Sequence, residues 1–472
     1  MRKLLRTMSA VAVSSMMLTG CEVGPDYEPP ELDMPKLSDR EDMSIFKNRQ
    51  WWNVFNIKTL NKLEEQALKH NADLKIAIAN IDAAKAAAGI AQSDLLPQIA
   101  ASGEGGKAYI SSKGKNYMPG LTTKRNSTDY LGAVGMSYEL DFFGKYRRAN
   151  EAARAQLLAT RAAKDAVLLS ITSQVAKNYF LIRALDAKLA IARRTLSTRK
   201  QTYNVYKSRF RSGYCTELDY LRIESEMASV KTTVLGLEDA LAKAETSMSV
   251  LLGCSPRLFM DRKTSPEKAI ERLKIPNKVP KGIPSDILNR RPDLLQAEGM
   301  LIAANAKIGE AKAAFFPSIS LTGALGVESK TLGKLFSPGS DMWNFSGGIN
   351  LPVFTGGKLS SMSDAAQANY RAALASYEKT VQVAFKEALD ALVSNRKSRE
   401  IVKSRTRQVN ALKRSYDIAK KQKDAGLIGL IDLLDVERGL LACEMDLTTA
   451  LQDQLNAVVD LCKALGGGWI RK

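Results

Sequence analysis

Asp432 and Asp435 stand three positions apart in the run AGLIGLIDLLD, residues 425 to 435, and on a helix that spacing puts both carboxylates on one face. Such a face attracts cations and repels anions. Other chemistry has no carrier in the chain. The single histidine, His70, gives a His-based triad one candidate and no supporting motif, and it reads as a surface helical residue. No CxxC, HExxH or P-loop sequence occurs and the 15 Met are scattered, so neither a metal nor a nucleotide is expected. Besides Cys21, the cysteines are Cys215, Cys254, Cys443 and Cys462. Cys462 falls on an apolar helical stripe and suits a buried thiol, while an oxidising compartment would allow a disulfide. No catalytic residue and no cofactor is expected, and the chain is not read as an enzyme.

The elements that position the aspartates come from a duplication. Gly144 and Gly357, Gly213 and Gly426, and Gly253 and Gly466 are each 213 residues apart, and LLPQIAASGEGG at 95–106 mirrors FFPSISLTGALG at 315–326. Two copies, 57–254 and 285–466, each read helix, strand pair (97–142 and 317–354) and long helical hairpin with its tip near 213 or 426. A linker richer in proline, 255–284, joins them, and a tail, 467–472, follows. Between Gly144 and Gly213, and between Gly357 and Gly426, there is no proline, and apolar residues keep helical spacing, as in Val381, Phe385, Ala388 and Leu392. About 65 such residues extend roughly 100 Å, which calls for a coiled-coil column.

Charge follows the same plan. Residues 396–423 carry 11 Lys/Arg and 2 acids, and 432–460 carry 7 acids and 1 Arg; the first copy has 9 and 1 over 183–211, then 7 acids and 3 bases over 217–245. Basic helices followed by acidic ones suit antiparallel neighbours paired along their flanks. Much of the positive charge in a chain of net charge +19 thus has an internal partner, and a nucleic-acid interface, which needs an unpaired basic stripe, is not expected. Gly213 and Gly426 suit left-handed ends of the outgoing helices, and the returning helices start near Thr216 and Gly429. Asp219 and Asp432 are then first-turn acids, for which capping alone is an adequate reading. Asp435 has no such account, because its repeat counterpart is Arg222.

Residues 1–20 form a signal peptide: Arg2, Lys3 and Arg6, an apolar stretch from Met8 to Leu18, and LTGC ending at Cys21. LTGC resembles a lipobox, so the mature chain begins at an acylated Cys21, and 21–56 is a lipidated N-terminal segment. Glu22 after the cysteine implies export to the outer membrane. No later run of 18 apolar residues occurs, so any bilayer-crossing part is made of strands. The segments before each long helix alternate with period two. Ile319, Leu321, Leu325 and Val327 alternate with Ser318, Ser320, Thr322, Ala324 and Glu328; Trp343, Phe345 and Ile349 with Asn344, Ser346 and Gly348; Tyr130, Val134, Met136, Tyr138 and Leu140 with Ala133, Gly135, Ser137 and Glu139. One apolar face, one small or polar face and a length near ten suit a transmembrane barrel. Four strands cannot close one, so closure needs other copies, and a small, polar inner face favours a lumen and a trimer or larger ring.

These stretches resemble a known family, the TolC-type outer-membrane factors, in its lipoprotein branch serving resistance-nodulation-division (RND) efflux pumps. The likeness is carried by CEVGPDYEPP at 21–30, WWNVF at 51–55, YELDFFGKYRRANEAARA at 138–155, PSDILNRRPDLLQAE at 284–298 and AANAKIGEAKAAFFPSISLTG at 303–323. It implies a mainly α protein with transmembrane β: a homotrimer with a 12-stranded barrel continuing into an α-helical periplasmic tunnel. Its role would be a passive exit duct for an inner-membrane RND transporter, linked through a periplasmic adaptor. The family's adaptor-contact signature falls on Arg211, Gly213, Leu221 and Glu224, with Tyr220 where Val is usual, and on Gly426, Leu433, Leu434 and Glu437, with Asp424 replacing the arginine. In related channels the aspartates matching Asp432 and Asp435 line the periplasmic constriction. Asp219 and Arg222 join them as gate candidates, Arg222 pairing an acid on the neighbouring hairpin. Ile428 and Lys423 occupy positions where some members latch the tip with Arg and Tyr. The competing reading is a coiled-coil lipoprotein that bridges envelope layers without a pore.

Overall fold

Proline-free stretches rich in Ala, Leu, Lys and Glu become the helices here, and alternating stretches rich in β-branched, aromatic and glycine residues become the strands. The computed structural model describes residues 22–31, 50–109, 111, 113, 126–255, 270, 273 and 291–467. The signal peptide, Cys21, most of the 255–284 linker and the tail beyond residue 467 lie outside them. In chain order the elements are α1 (Lys58–His70), α2 (Ala72–Ser93), β1 (Gln98–Tyr109), β2 (Asn126–Leu140), α3 (Lys145–Arg211) and α4 (Glu217–Leu251). They continue with α5 (Pro292–Ala313), β3 (Ser318–Ser329), β4 (Asp341–Asn350), α6 (Lys358–Asp424) and α7 (Leu430–Ala464). Both α3 and α6 have 67 residues and both α4 and α7 have 35, so the two hairpins match each other helix for helix. No described helix is long and apolar enough to cross a membrane.

The chain divides into two compact units. One contains the described parts of 22–31, 81–160 and 297–377, with all four strands. They form one antiparallel sheet in the order β1-β2-β3-β4. Register decides the faces. Val134 lies opposite Ala101 and Leu325, Met136 opposite Ile99 and Gly323, and Leu325 opposite Trp343, so the apolar positions of neighbouring strands fall on one side. Ile99, Leu325, Trp343, Phe345 and Ile349 are each more than 60% exposed there. The other side carries Ser102, Glu104, Ser137, Thr322, Glu328 and Ser346, with the Thr322 and Ser346 hydroxyls 2.7 Å apart. Among the described residues, β1 and β4 each leave one edge without a strand partner.

The second unit contains the described parts of 32–80, 161–296 and 378–472, hence both hairpin tips. Trp51, Trp52 and Phe55 of the WWNVF turn are buried; Trp51 Nε1 donates to Thr172 Oγ1 at 3.1 Å, and Phe55 meets Phe180 edge to face at 4.9 Å. The hairpins pack through a stripe of Leu189, Ala192 and Val234, flanked by Leu196, Leu237, Leu241 and Met445. Their charged flanks pair across helices: Arg193 with Glu238, Arg405 with Asp446, Lys177 with Asp460. Exposed pairs of this sort contribute about 0–1 kcal/mol each, so the stripe supplies most of the packing energy.

Candidate functional site: the two hairpin tips

Both tips turn on the same main-chain device. At the first, Gly213 N–H donates to Phe210 O at 3.0 Å and Tyr214 N–H to Arg209 O at 2.8 Å; at the second, Gly426 N–H donates to Lys423 O and Leu427 N–H to Gln422 O at the same distances. This doubled bond pattern needs a left-handed residue after the helix, and Gly213 (φ 76°) and Gly426 (φ 74°) supply it.

The returning helices begin differently. Thr216 Oγ1 accepts the Asp219 N–H at 3.1 Å and donates to Asp219 Oδ2 at 2.8 Å. Gly429 has no side chain to offer, so the Asp432 carboxylate reaches back to accept the Gly429 N–H at 3.0 Å. Each acid serves a helix start with free N–H groups, where the helix dipole favours it. Asp435 instead pairs with Arg438 one turn along its own helix at 2.6 Å, with both side chains exposed. Arg222 lines a cleft of about 260 Å³ with Ser225, Glu226, Ile431, Leu434, Asp435 and Arg438, and makes no ion pair among the described residues. It therefore faces the second hairpin of its own chain.

Of the signature positions, Arg211, Gly213 and Leu221 are exposed at the first tip and Gly426 at the second; Glu224, Leu433 and Leu434 are half-buried. Glu437 is turned inward. Its carboxylate lies 3.4 Å from Nη2 of Arg199, a residue 2% exposed on α3, while Glu226 on α4 comes to 3.9 Å and Leu434 O to 3.4 Å of the same nitrogen. Burial raises the pKa of Glu437, Arg199 works against that rise, and Glu226 adds to it. Arg199 thus ties both hairpins at the level of the second tip's acids, while its Nε and Nη1 find no hydrogen-bond partner among the described residues. Sequence reasoning missed it, although the signal was present: Leu185, Leu189, Ala192, Leu196 and Arg199 follow 4-3-4-3 spacing, which places a cation on the packing seam.

Tyr220 also acquires a role. It stacks on Phe210 at 5.2 Å, its hydroxyl lies 3.0 Å from that of Tyr203, and Lys207 and Arg209 sit over the Tyr203 and Tyr206 rings. Tyr214 is 83% exposed at the apex. The four described cysteines are free thiols, and burial pushes that of Cys462 up to about 12. His70 is exposed at the end of α1.

A family model described as outer membrane efflux protein matches residues 63–254 and 283–467. The chain is 33% identical over 477 residues to the probable efflux pump outer membrane protein TtgC of Pseudomonas putida, covering 98% of this chain and 96% of that protein. It is 31% identical over 463 residues to the probable outer membrane lipoprotein SilC of Salmonella typhimurium, covering 96% and 97%. Among solved structures, the Campylobacter jejuni CmeC outer membrane channel matches with a TM-score of 0.89 at 27% identity, covering 95% of this chain and 96% of that one.

Proposed function

The chain belongs to the outer membrane efflux protein family, and on that premise we propose that it is the outer-membrane exit duct of a tripartite efflux pump, passively conducting what an inner-membrane transporter expels. The sheet carries the reading. Its apolar side exposes large residues that water does not stabilise but lipid does, its other side is small and polar, and its two free edges invite closure with further copies. A non-pore bridging lipoprotein has no use for such a sheet.

Finer parts of the proposal follow from the same geometry. Three copies give a barrel of twelve strands, wide enough for an aqueous lumen. Cys21, after a lipobox, carries a covalent lipid and anchors the chain in the outer membrane. The exposed residues at both tips, Arg211, Leu221 and Tyr214 at the first and Leu427 at the second, are offered to a periplasmic adaptor that connects to an RND transporter. Asp432 and Asp435 of three chains form rings of carboxylates at the periplasmic mouth, with Asp219 and Arg222 beside them. No residue is assigned a catalytic role.

The test is single-channel conductance in a planar bilayer, comparing wild type with Asp432→Ala/Asp435→Ala. Small cation-selective currents in wild type, growing several-fold and losing cation preference in the variant, are expected. Equal currents would remove the gate, and absence of current from either inserted protein would move the reading to the bridging lipoprotein.

A further inference from the structure

The second hairpin is tied near its tip by Arg199, and it is held again, far from the tip, by Arg291. Arg291 immediately precedes α5, is 5% exposed and uses every nitrogen of its guanidinium. Nη1 donates to the main-chain oxygen of Ala464, the last residue of α7, at 3.1 Å, and Nη2 donates to Glu387 on α6 at 2.6 Å. Nε and Nη2 grip Asp293 at 3.0 and 2.7 Å. A cation is favoured at the carbonyl end of a helix, and a guanidinium withdrawn from water must be paired. One side chain thus bonds both helices of the hairpin at one level.

The first copy has half of this device. Asn71 immediately precedes α2, which has 22 residues like α5. Its Nδ2 donates to the main-chain oxygen of Leu251, the last residue of α4, at 2.9 Å, while its Oδ1 accepts the Asp73 and Leu74 N–H groups. The outgoing helix α3 is not part of that arrangement: Gln174, which stands in α3 where Glu387 stands in α6, donates to Ser170 of its own helix at 3.0 Å. Both copies therefore fasten the end of the returning helix, and only the second adds the outgoing helix, through a longer and charged side chain.

That addition has leverage. From Glu387 to Asp424, and from Ala464 back to Leu430, each helix runs about 50–55 Å at about 1.5 Å per residue. A tilt of about 5° at Arg291 therefore moves the second tip, with Asp432 and Asp435, by roughly 4–5 Å. Packed helices are rigid enough to carry such a displacement along their length.

We propose that Arg291 is a positioning residue for the gate: by bonding α6 through Glu387 and α7 through Ala464 O, it makes the second hairpin one lever and sets the angle at which its acidic tip stands. This rests on Asp432 and Asp435 forming the gate, as proposed above. Asp293 fixes the direction of the guanidinium. Glu387, whose side chain is 43% exposed, is the arm that can be released without unpairing a buried charge.

The experiment uses the full chain purified from outer membranes and reads single-channel current in a planar bilayer together with hydrogen exchange of peptides covering 423–435. Glu387→Gln releases the α6 arm and leaves Arg291 paired with Asp293 and Ala464 O, whereas Arg291→Lys weakens every arm at once. In both, the current should grow several-fold and the tip peptides should exchange at least about threefold faster. The urea midpoint of Glu387→Gln should stay at the wild-type value, and Gln174→Ala, at the matching place in the first copy, should leave current and exchange unchanged. A Glu387→Gln protein whose urea midpoint falls in step with its change in current overturns positioning in favour of plain stability. Wild-type current and exchange in Glu387→Gln, beside a responsive Asp432→Ala/Asp435→Ala, overturn the clamp alone. An unresponsive acidic pair overturns the gate and, with it, the part of Arg291 in setting it, so the two failures are distinguishable.

Discussion

At the first tip Phe210 stacks on Tyr220, whereas at the second the matching positions are Lys423 and Leu433, although both tips turn through the same two backbone hydrogen bonds. Because glycine and the main chain hold each turn, the side chains around it are free to diverge. The first hairpin uses that freedom for rigid aromatic packing and a hydroxyl cap. The second uses it for carboxylates, with Asp432 drawn into the cap that Gly429 cannot provide and Asp435 facing outward. One deeper position shows the same divergence: Arg199 ties the hairpins together, and its counterpart in the second copy is Leu412, close to Gly439 where the first copy has Glu226. One fold therefore presents a stiff tip beside a charged one.

The largest effect should come from making the first hairpin's seam resemble the second. Arg199→Leu removes the cation that lies between Glu226 and Glu437, both only part-buried, so the loss should fall between that of a surface pair, about 0–1 kcal/mol, and that of a buried pair broken on one side, about 3–5 kcal/mol. Urea unfolding of the detergent-solubilised protein would read it. Arg199→Lys should recover part of the loss, because charge persists without the planar fork. Conductance is the companion measurement. Leu434 O and Glu437 are held by Arg199 on the turn next to Asp432 and Asp435, so losing the tie should also enlarge the current. Unchanged stability and current would reduce Arg199 to a bystander.

Much of this architecture is legible in the sequence, for a physical reason. Ile319 to Val327 alternate because the two sides of the sheet meet different surroundings, and Gly213 and Gly426 stand out because few other residues accept a left-handed φ. Alternation is weak in β1, whose register positions are filled largely by Gly103, Gly105, Gly106 and alanines. The site is less legible. Charge counts along α3 treat Arg199 as one more flanking cation, and only its heptad phase marks it as interior. Nothing local in the sequence links Glu22 to Arg148, whose Nε lies 3.2 Å from the Glu22 carboxylate, because such a contact is made by the fold. Glu64 is similar: it is buried with both carboxylate oxygens unpartnered among the described residues, and burial raises its pKa well above the ordinary range, yet its flanking residues in α1 read as an ordinary amphipathic helix.

A smaller perturbation compares the two caps. Thr216→Ala removes the hydroxyl that serves the first returning helix and should cost about 1 kcal/mol locally. Gly429→Thr at the second tip, where φ −78° and ψ 169° suit any residue, should be neutral or stabilising by a few tenths of a kcal/mol. Hydrogen exchange of peptides covering 210–222 and 423–435 would show faster opening at the first tip and little change at the second. Equal responses would mean that the loops, rather than the caps, limit opening.

The smallest change tests the aromatic cluster. The hydrogen bond to Tyr220 is the main reason Tyr203 is pushed up to about 12, with burial and the Glu224 carboxylate adding to it. A phenol whose folded pKa lies above its unfolded value contributes stability that is fully present below pH about 10 and is lost as pH rises toward 12. Tyr220→Leu, which copies Leu433 of the second tip, removes the Tyr220 hydroxyl and the ring stacked on Phe210. The stacking loss is about 0.5–1.5 kcal/mol. Absorbance at 295 nm should then show a tyrosine titrating closer to the ordinary value, and the alkaline loss of stability should become shallower between those pH values. Phe210→Leu offers the control, since it removes the stack and leaves the hydroxyl pair. If Phe210→Leu lowers the titration as far as Tyr220→Leu does, ring packing rather than the phenol hydrogen bond sets the Tyr203 proton, and the first tip's stiffness resides in its hydrophobic contacts alone.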